Sequence, residues 1–303
     1  MVGPGSLTPQ TPPSEARAGE GGGSAGGARV LTLGWACLDQ RFYVEHFPPA
    51  HSRTPTTAYR ETLGGPATVA AVAVARLGGA VRLLSRRGAD PSGEQLERLL
   101  KSENVEAHFT LGARTPVSGV LVGPDGERYI FPYRGELPTA PDWEAGEMLE
   151  GVQAVLLDHR WPEAGLLIAK AARALGIPVV LDLDHDRLEA WQLAAHSSHI
   201  VASEELMAQV GSFEALQDRV QTWTAVTLGA EGVRHPEGHL PAFRVVVRDS
   251  TGAGDVFHGA FALAIAEGQG EVEALRFAAA VSALHVRDGE PPRREAVNTL
   301  LGS

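Results

Sequence analysis

Cysteine is nearly missing from this 303-residue chain, with Cys37 the single one. That excludes an internal disulfide framework and any multi-cysteine zinc site, and it suits a reducing compartment, so a cytoplasmic protein is expected. Positive charge is short too, with 26 Lys and Arg against 37 Asp and Glu for a formal net charge of −11. Such a chain has no general attraction for nucleic acid or an anionic membrane, so an anionic ligand must be held by a local site and the partner is expected to be a small molecule. No apolar run is long enough for a signal-peptide core or a membrane span, and no Walker A sequence occurs.

The hydrophobic fraction, 44%, suits a globular protein with one large α/β domain or two smaller ones. Residues 1–28, dominated by Gly, Pro, Ser, Ala and Thr, offer too little apolar surface to offset ordering entropy and are expected to form a disordered tail. From Arg29 onward, apolar runs alternate with helical patterns, the signature of βαβ units around a largely parallel sheet. The strands expected are Val30 to Leu33, Val81 to Leu84, Ala154 to Leu157, Val179 to Leu183, His199 to Ala202 and Thr224 to Leu228. Helical periodicity marks Pro66 to Leu77, Glu94 to Leu100, Glu163 to Leu175 and Glu204 to Val210. Residues 40–63 and 114–135 break the rhythm with β-type alternation, and both follow early βα units. They are expected to pair as one small sheet, placed as a lid that would exclude water from the site.

The segment Asp249-Ser-Thr-Gly-Ala-Gly-Asp255 leads from a strand-like Phe243 to Val247 into an apolar helix. Glycines at 252 and 254 let backbone approach a ligand, and free N–H groups at a helix start suit a phosphate or a developing anion. Asp255, in the first turn, is placed to take a proton from an attacking hydroxyl while those amides stabilise the transferred group. A glycine turn with an acidic cap is the plainer reading. The spacing is not the dinucleotide fingerprint, because Phe257 stands where its third glycine would be.

This segment resembles the C-terminal signature of the ribokinase-like (PfkB) carbohydrate kinases, with Ser250 for their Thr. Leu63-Gly-Gly-Pro-Ala-Thr-Val-Ala-Ala, leading to Arg76-Leu-Gly-Gly, is similar to their N-terminal motif. The resemblance implies a three-layer αβα domain with a mainly parallel sheet and a small β lid, ATP and Mg²⁺ as cofactors with a monovalent cation besides, and a homodimer formed through the lid. It also implies site roles. Asp255 would be the base, with the amides of Gly252, Ala253 and Gly254 as the anion hole. Asp39, Gly64, Gly65 and Thr68 would face the sugar. Thr227, Gly229, Gly232, Thr251 and Gly254 would line the nucleotide, and Glu205 would serve the metal.

Two departures bear on these roles. Val69 stands near a place where the family often has a sugar-binding Asn, and Ala202-Ser-Glu-Glu205 lacks the amide of the family's Asn-x-x-Glu. Leu157-Asp-His-Arg-Trp161, Pro241-Ala-Phe-Arg-Val and Val256-Phe-His-Gly-Ala look most like sulfofructose kinases, which makes Arg160 the candidate for gripping an anionic tail. Pro132 departs from that subgroup. The alternatives are a general sugar or nucleoside kinase for a neutral substrate and a sugar-binding regulator without catalysis. Asp182-Leu-Asp184-His-Asp186 raises two further chemistries. A calcium loop is excluded because Arg187 and Leu193 replace its Gly and Glu. A haloacid dehalogenase-type phosphatase is a remote rival, since that motif opens its domain rather than lying centrally. His258 is expected to be packed or solvent-facing, and Cys37 to be a buried residue rather than a nucleophile.

Overall fold

The computed structural model describes residues 27–48, 53–124 and 127–302, so the expected tail, apart from Gly27 and Ala28, lies outside the described residues. The strands are β1 (Arg29–Leu33), β2 (Cys37–Tyr43), β3 (Ala58–Gly64), β4 (Ala80–Gly88), β5 (Glu106–Gly112), β6 (Val117–Val122) and β7 (Arg128–Tyr133). They continue with β8 (Ala154–Leu157), β9 (Val179–Leu183), β10 (His199–Ser203), β11 (Trp223–Thr227), β12 (Val233–His235) and β13 (Gly238–Leu240). The helices are α1 (Pro66–Arg76), α2 (Pro91–Ser102), α3 (Ala145–Met148), α4 (Pro162–Ala174) and α5 (Leu188–Ala194). After them come α6 (Glu204–Val210), α7 (Phe213–Val220), α8 (Ala253–Ala266), α9 (Glu271–Asp288) and α10 (Arg294–Gly302).

Nine strands form the large sheet in the order β13-β12-β11-β10-β9-β8-β1-β4-β5, parallel from β11 to β5 and closed by an antiparallel β12–β13 hairpin. Alternate residues face opposite sides, so Val30, Leu83, Leu156 and Val180 bury one core with α1, α8 and α9, whereas Leu31, Leu84, Leu157 and Leu181 bury the other with α4 and α5. Full burial of each such side chain contributes about 1.5–3 kcal/mol, which explains why these strands read as near-continuous apolar runs. The result is three layers, helices on both faces of the sheet.

The chain winds outward from β1 to β4 and β5, then crosses to β8 on the other side of β1. That reversal makes the carboxyl ends of β1 and β8 a topological switch point, where open α/β sheets place their ligands.

The segments that broke the βα rhythm pair with each other. β2 runs parallel to β6 from Leu38↔Val117 to Tyr43↔Val122, and the four-stranded order is β3-β2-β6-β7. Tyr129, Ile130, Phe131 and Tyr133 on β7, and Tyr59 on β3, remain exposed. One expected strand is absent: Phe243 to Val247 pairs with no neighbour, because β13 ends at Leu240 and the chain leaves the sheet edge there. β5, β12 and β13 are strands that the periodicity did not single out.

Candidate active site

Asp158, just past β8, holds the switch point together. Its Oδ2 accepts the Trp35 amide at 2.7 Å and the Ala67 amide at 3.3 Å, and its Oδ1 accepts the Arg160 amide at 2.8 Å. One carboxylate thus ties the loop after β1, the start of α1 and the loop after β8. Gly34 belongs to this arrangement, since a Cβ there would lie 2.1 Å from the same carboxylate.

The signature segment crosses the floor of this cleft. Asp249 accepts hydrogen bonds from the Thr251 amide, at 2.8 Å, and from the Thr251 hydroxyl, closing a tight turn. Burial would push the Asp249 carboxyl up, but the Thr251 bonds and the Arg128 and Arg41 guanidinium groups hold it below its ordinary value. Gly252 follows in the left-handed region, φ 71°, as the cap of α8. Of the three amides expected to form the anion hole, Ala253 N–H reaches Ser250 O at 3.3 Å, whereas among the described residues none accepts from Gly252 or Gly254 N–H. Two of these three amides are thus free to donate.

Asp255 lies one residue further, and its carboxylate turns inward. Burial pushes it up to about 7, and the nearby Asp182 charge adds to the rise. Asp182, at the end of β9, is pushed up to about 8, by burial first and then by Asp184. Ligand atoms of Asp182, Asp255 and His258 all lie within 4.8 Å of one another. His258 is packed rather than solvent-facing, with Nδ1 3.7 Å from Asp182 and burial pushing its pKa down. The Cys37 thiol is pushed well up by burial and by Asp39, which leaves it inert.

On the small-sheet side, Gly64 of β3 pairs with Cys37 of β2 while Asp39 pairs with Thr62, and a Cβ at Gly64 would sit 2.4 Å from Asp39 Oδ1. Gly65, φ 95°, brings α1 against the Trp35 carbonyl so closely that a Cβ would lie 2.3 Å away. Thr68 is fully buried and its hydroxyl bonds the Trp35 carbonyl at 3.5 Å, so it packs α1 rather than lining the cleft. Val69 is the α1 residue that approaches the start of α8, with Cγ1 3.2 Å from where a Gly252 Cβ would stand. Arg160 donates from Nη2 to Asp184 at 2.7 Å, while its Nη1 is buried without a partner.

Beside the start of α8 opens a cavity of about 640 Å³, lined by Thr227, Gly229, Gly232, Ser250 and Gly254 on its polar side and by Phe243, Phe257 and Ala279 on its apolar side. The unpaired Phe243 to Val247 segment forms part of this wall. Thr251 itself is not among the lining residues, because its hydroxyl is turned to Asp249. Glu205 is exposed in the first turn of α6, which the Ser203 hydroxyl caps, and Ser203 pairs with Thr227 across β10 and β11.

Sequence reasoning missed two residues of the site. Asp158 lay inside the Leu157 to Trp161 segment that singled out Arg160 but was given no role of its own. Asp182 was weighed only as part of a foreign motif, although its place at a strand end could have marked it.

The profile of the pfkB family carbohydrate kinases matches residues 28–291. Ribokinase of Bacillus subtilis is 28% identical over 90% of this chain and 99% of its own length. ATP-dependent ribose-1-phosphate kinase of Halopiger xanaduensis is 31% identical over 90% of this chain and 98% of its own. The structure of Arabidopsis thaliana ribokinase complexed with ribose and ATP superposes with a TM-score of 0.79 at 25% identity, covering 91% of this chain and 99% of that one.

Proposed function

The chain belongs to the pfkB family of carbohydrate kinases, and we propose that it transfers the γ-phosphate of ATP to a hydroxyl of a neutral sugar with Asp255 as general base. The observation that carries this reading is the convergence at one helix start of an inward-turned, half-buried carboxylate pushed up to about 7 and the amides of Gly252 and Gly254, which have no acceptor among the described residues. ATP would occupy the cavity of about 640 Å³ beside that helix, its terminal phosphate toward Gly254. The sugar would lie between Asp255 and the Asp39–Gly64 face, with a hydroxyl toward the Asp255 carboxylate. The Gly252 and Gly254 N–H groups would then meet charge spreading over the transferred oxygens, where fixed donors need no reorganisation.

Mg²⁺ would be held by Glu205, an exposed oxygen donor without an ion-pair partner among the described residues and of the carboxylate type that such a hard cation takes once or twice while keeping its waters. When bound beside the phosphates, Mg²⁺ supplies charge neutralisation. The small sheet would serve as the lid, and its exposed Tyr59, Tyr129 and Phe131 would be covered by a second copy in a homodimer, which sedimentation would report as twice the chain mass.

A neutral substrate is favoured over an anionic tail because the Arg160 charge is already balanced. Its guanidinium is held by Asp184, with Asp158 and Asp182 acting on it as well. The second reading, a phosphorylated or sulfonated sugar, draws on the unpartnered Nη1 of Arg160 and on the ribose-1-phosphate kinase relative. Initial rates with ribose, fructose, fructose 6-phosphate, sulfofructose and a nucleoside test the proposal. Preference for ribose or fructose supports the neutral reading. Preference for fructose 6-phosphate or sulfofructose, abolished by Arg160→Ala, supports the other, and no ATP turnover with any of them contradicts both.

A further inference from the structure

We propose that His285 is a positioning residue for phosphoryl transfer, orienting the Thr251–Gly252 peptide so that the Gly252 amide faces the transferred group. This inference rests on the sugar-kinase reading above.

His285 lies in the last turn of α9 and is 6% exposed, with Nε2 2.6 Å from the Thr251 carbonyl oxygen. A carbonyl only accepts, so Nε2 carries the hydrogen. Nδ1 is then left buried with no partner, a cost that an apolar side chain in this helix would not incur. The contact therefore calls for a return.

The return lies in the geometry of the peptide. A trans peptide is planar, and its C=O and N–H point to opposite sides. The carbonyl of Thr251 and the amide of Gly252 belong to one such unit, and all peptide bonds among the described residues are trans. Holding the carbonyl toward α9 aims the Gly252 N–H away from α9, and among the described residues nothing accepts from it. Donation to the carbonyl also polarises the peptide, which strengthens the N–H at its far side.

The surroundings fit this assignment. A Cβ at Gly252 would lie 4.0 Å from His285 Nε2, 3.7 Å from Asp255 Oδ2 and 3.2 Å from Val69 Cγ1, so the glycine neighbours both the histidine and the proposed base. The last turn of α9 holds the preceding residues as well, with Arg248 and Asp249 amides on the Val286 carbonyl at 2.9 and 3.1 Å. Those two bonds use backbone atoms that any residue at 286 except an altered backbone would supply. Two α9 side chains hold the segment, His285 at the Thr251 carbonyl and the Ser282 hydroxyl, which donates to the Ala253 carbonyl at 3.0 Å, so a substitution at 285 removes the first restraint and leaves the second.

The test uses the full chain and three variants. His285→Leu removes the donor, His285→Asn is polar but too short to reach the carbonyl, and His285→Gln places an N–H where Nε2 stood. Each is assayed for kcat and both KM values with the sugar that wild type phosphorylates fastest. Each is also assayed for binding of ADP alone and of ADP with aluminium fluoride, Mg²⁺ and that sugar, which mimics the transferred phosphoryl. Losing one oriented donor typically costs about 10²–10³-fold, and misorienting it somewhat less. We expect His285→Leu and His285→Asn to lose about 10–100-fold in kcat and the same factor in aluminium fluoride complex affinity, with KM and ADP binding nearly unchanged. His285→Gln should recover part of both. His285→Asn carries the test should His285→Leu not fold. Unchanged kcat in both variants, or a fall matched by equal weakening of ADP alone, overturns the proposal. Wild type without turnover on every sugar overturns the kinase reading instead.

Discussion

The carboxylates of Asp182 and Asp255 lie within 4.8 Å of each other at the carboxyl end of β9 and the start of α8, enclosed by Ala70, Asp158 and His258. Two like charges held together out of water cannot both ionise cheaply, and burial comes first in raising the hold of each on its proton. Asp255 must be ionised to accept a proton from a hydroxyl.

The first prediction follows from the rise of Asp255 to about 7, caused by burial and then by Asp182, with His258 and Arg160 acting in the opposite sense. Activity should climb as pH rises through about 7 and level off above it. Asp182, pushed up to about 8, still holds its proton as Asp255 titrates, so burial sets the limb and Asp182→Asn should leave the acid limb of kcat/KM nearly in place. A limb that moves well down in pH would show that the Asp182 charge, rather than burial, sets it.

Stability gives a second reading of the same pair. Asp182 in the folded protein is pushed up to about 8 from an ordinary 3.8, so its contribution is present below the ordinary value and is lost as pH rises through 8. Asp182→Asn should therefore match wild type near pH 4 and exceed it near pH 9. At about 1.4 kcal/mol per pKa unit, half the displacement is on the order of 3 kcal/mol. Denaturant midpoints at the two pH values measure it, and equal midpoints at high pH would remove the claim.

Gly64→Ala tests the sugar side. The added Cβ would meet Asp39 Oδ1 at 2.4 Å and force the carboxylate aside. The sugar KM should rise about tenfold or more, corresponding to about 1.4 kcal/mol, with the ATP KM unchanged. An unchanged sugar KM would take Asp39 out of the site.

Arg128 of β7 lies 3.3 Å from Asp249 and so joins the small sheet to the signature turn. Because both side chains are partly exposed, the pair contributes about 0–1 kcal/mol to stability. Arg128→Ala should leave the melting temperature within about 4 °C while raising the sugar KM several-fold through a less well-held lid. A KM equal to wild type would show that this contact does not serve closure.

Most of the fold could be read from the chain because buried parallel strands are apolar on both faces. Val179 to Leu183 could be recognised for that reason, and its observed bounds are the same. β5 was harder, as Glu106, His108 and Thr110 lie at the sheet edge and break the apolar run. Phe243 to Val247 misled, since most of its apolar residues line the cavity beside α8 rather than pair in a sheet. In the site, Gly252 to Asp255 carried a local signal because glycine and a helix start are local features. Asp158 and His285 did not, because their roles depend on partners far along the chain, at Trp35 and Thr251. Thr68 and Arg160 could be placed near the cleft by sequence, but their hydrogen bonds to Trp35 and Asp184 needed coordinates.

The most direct measurement of the central claim is the kcat of Asp255→Asn with ATP and the best sugar of the panel. A positioned general base typically contributes about 10²–10⁴-fold. The account predicts a loss in that range, with ATP and sugar binding retained. An Asp255→Asn protein that keeps more than about a tenth of wild-type kcat would contradict it, since the loss would then fall short of what general-base catalysis supplies.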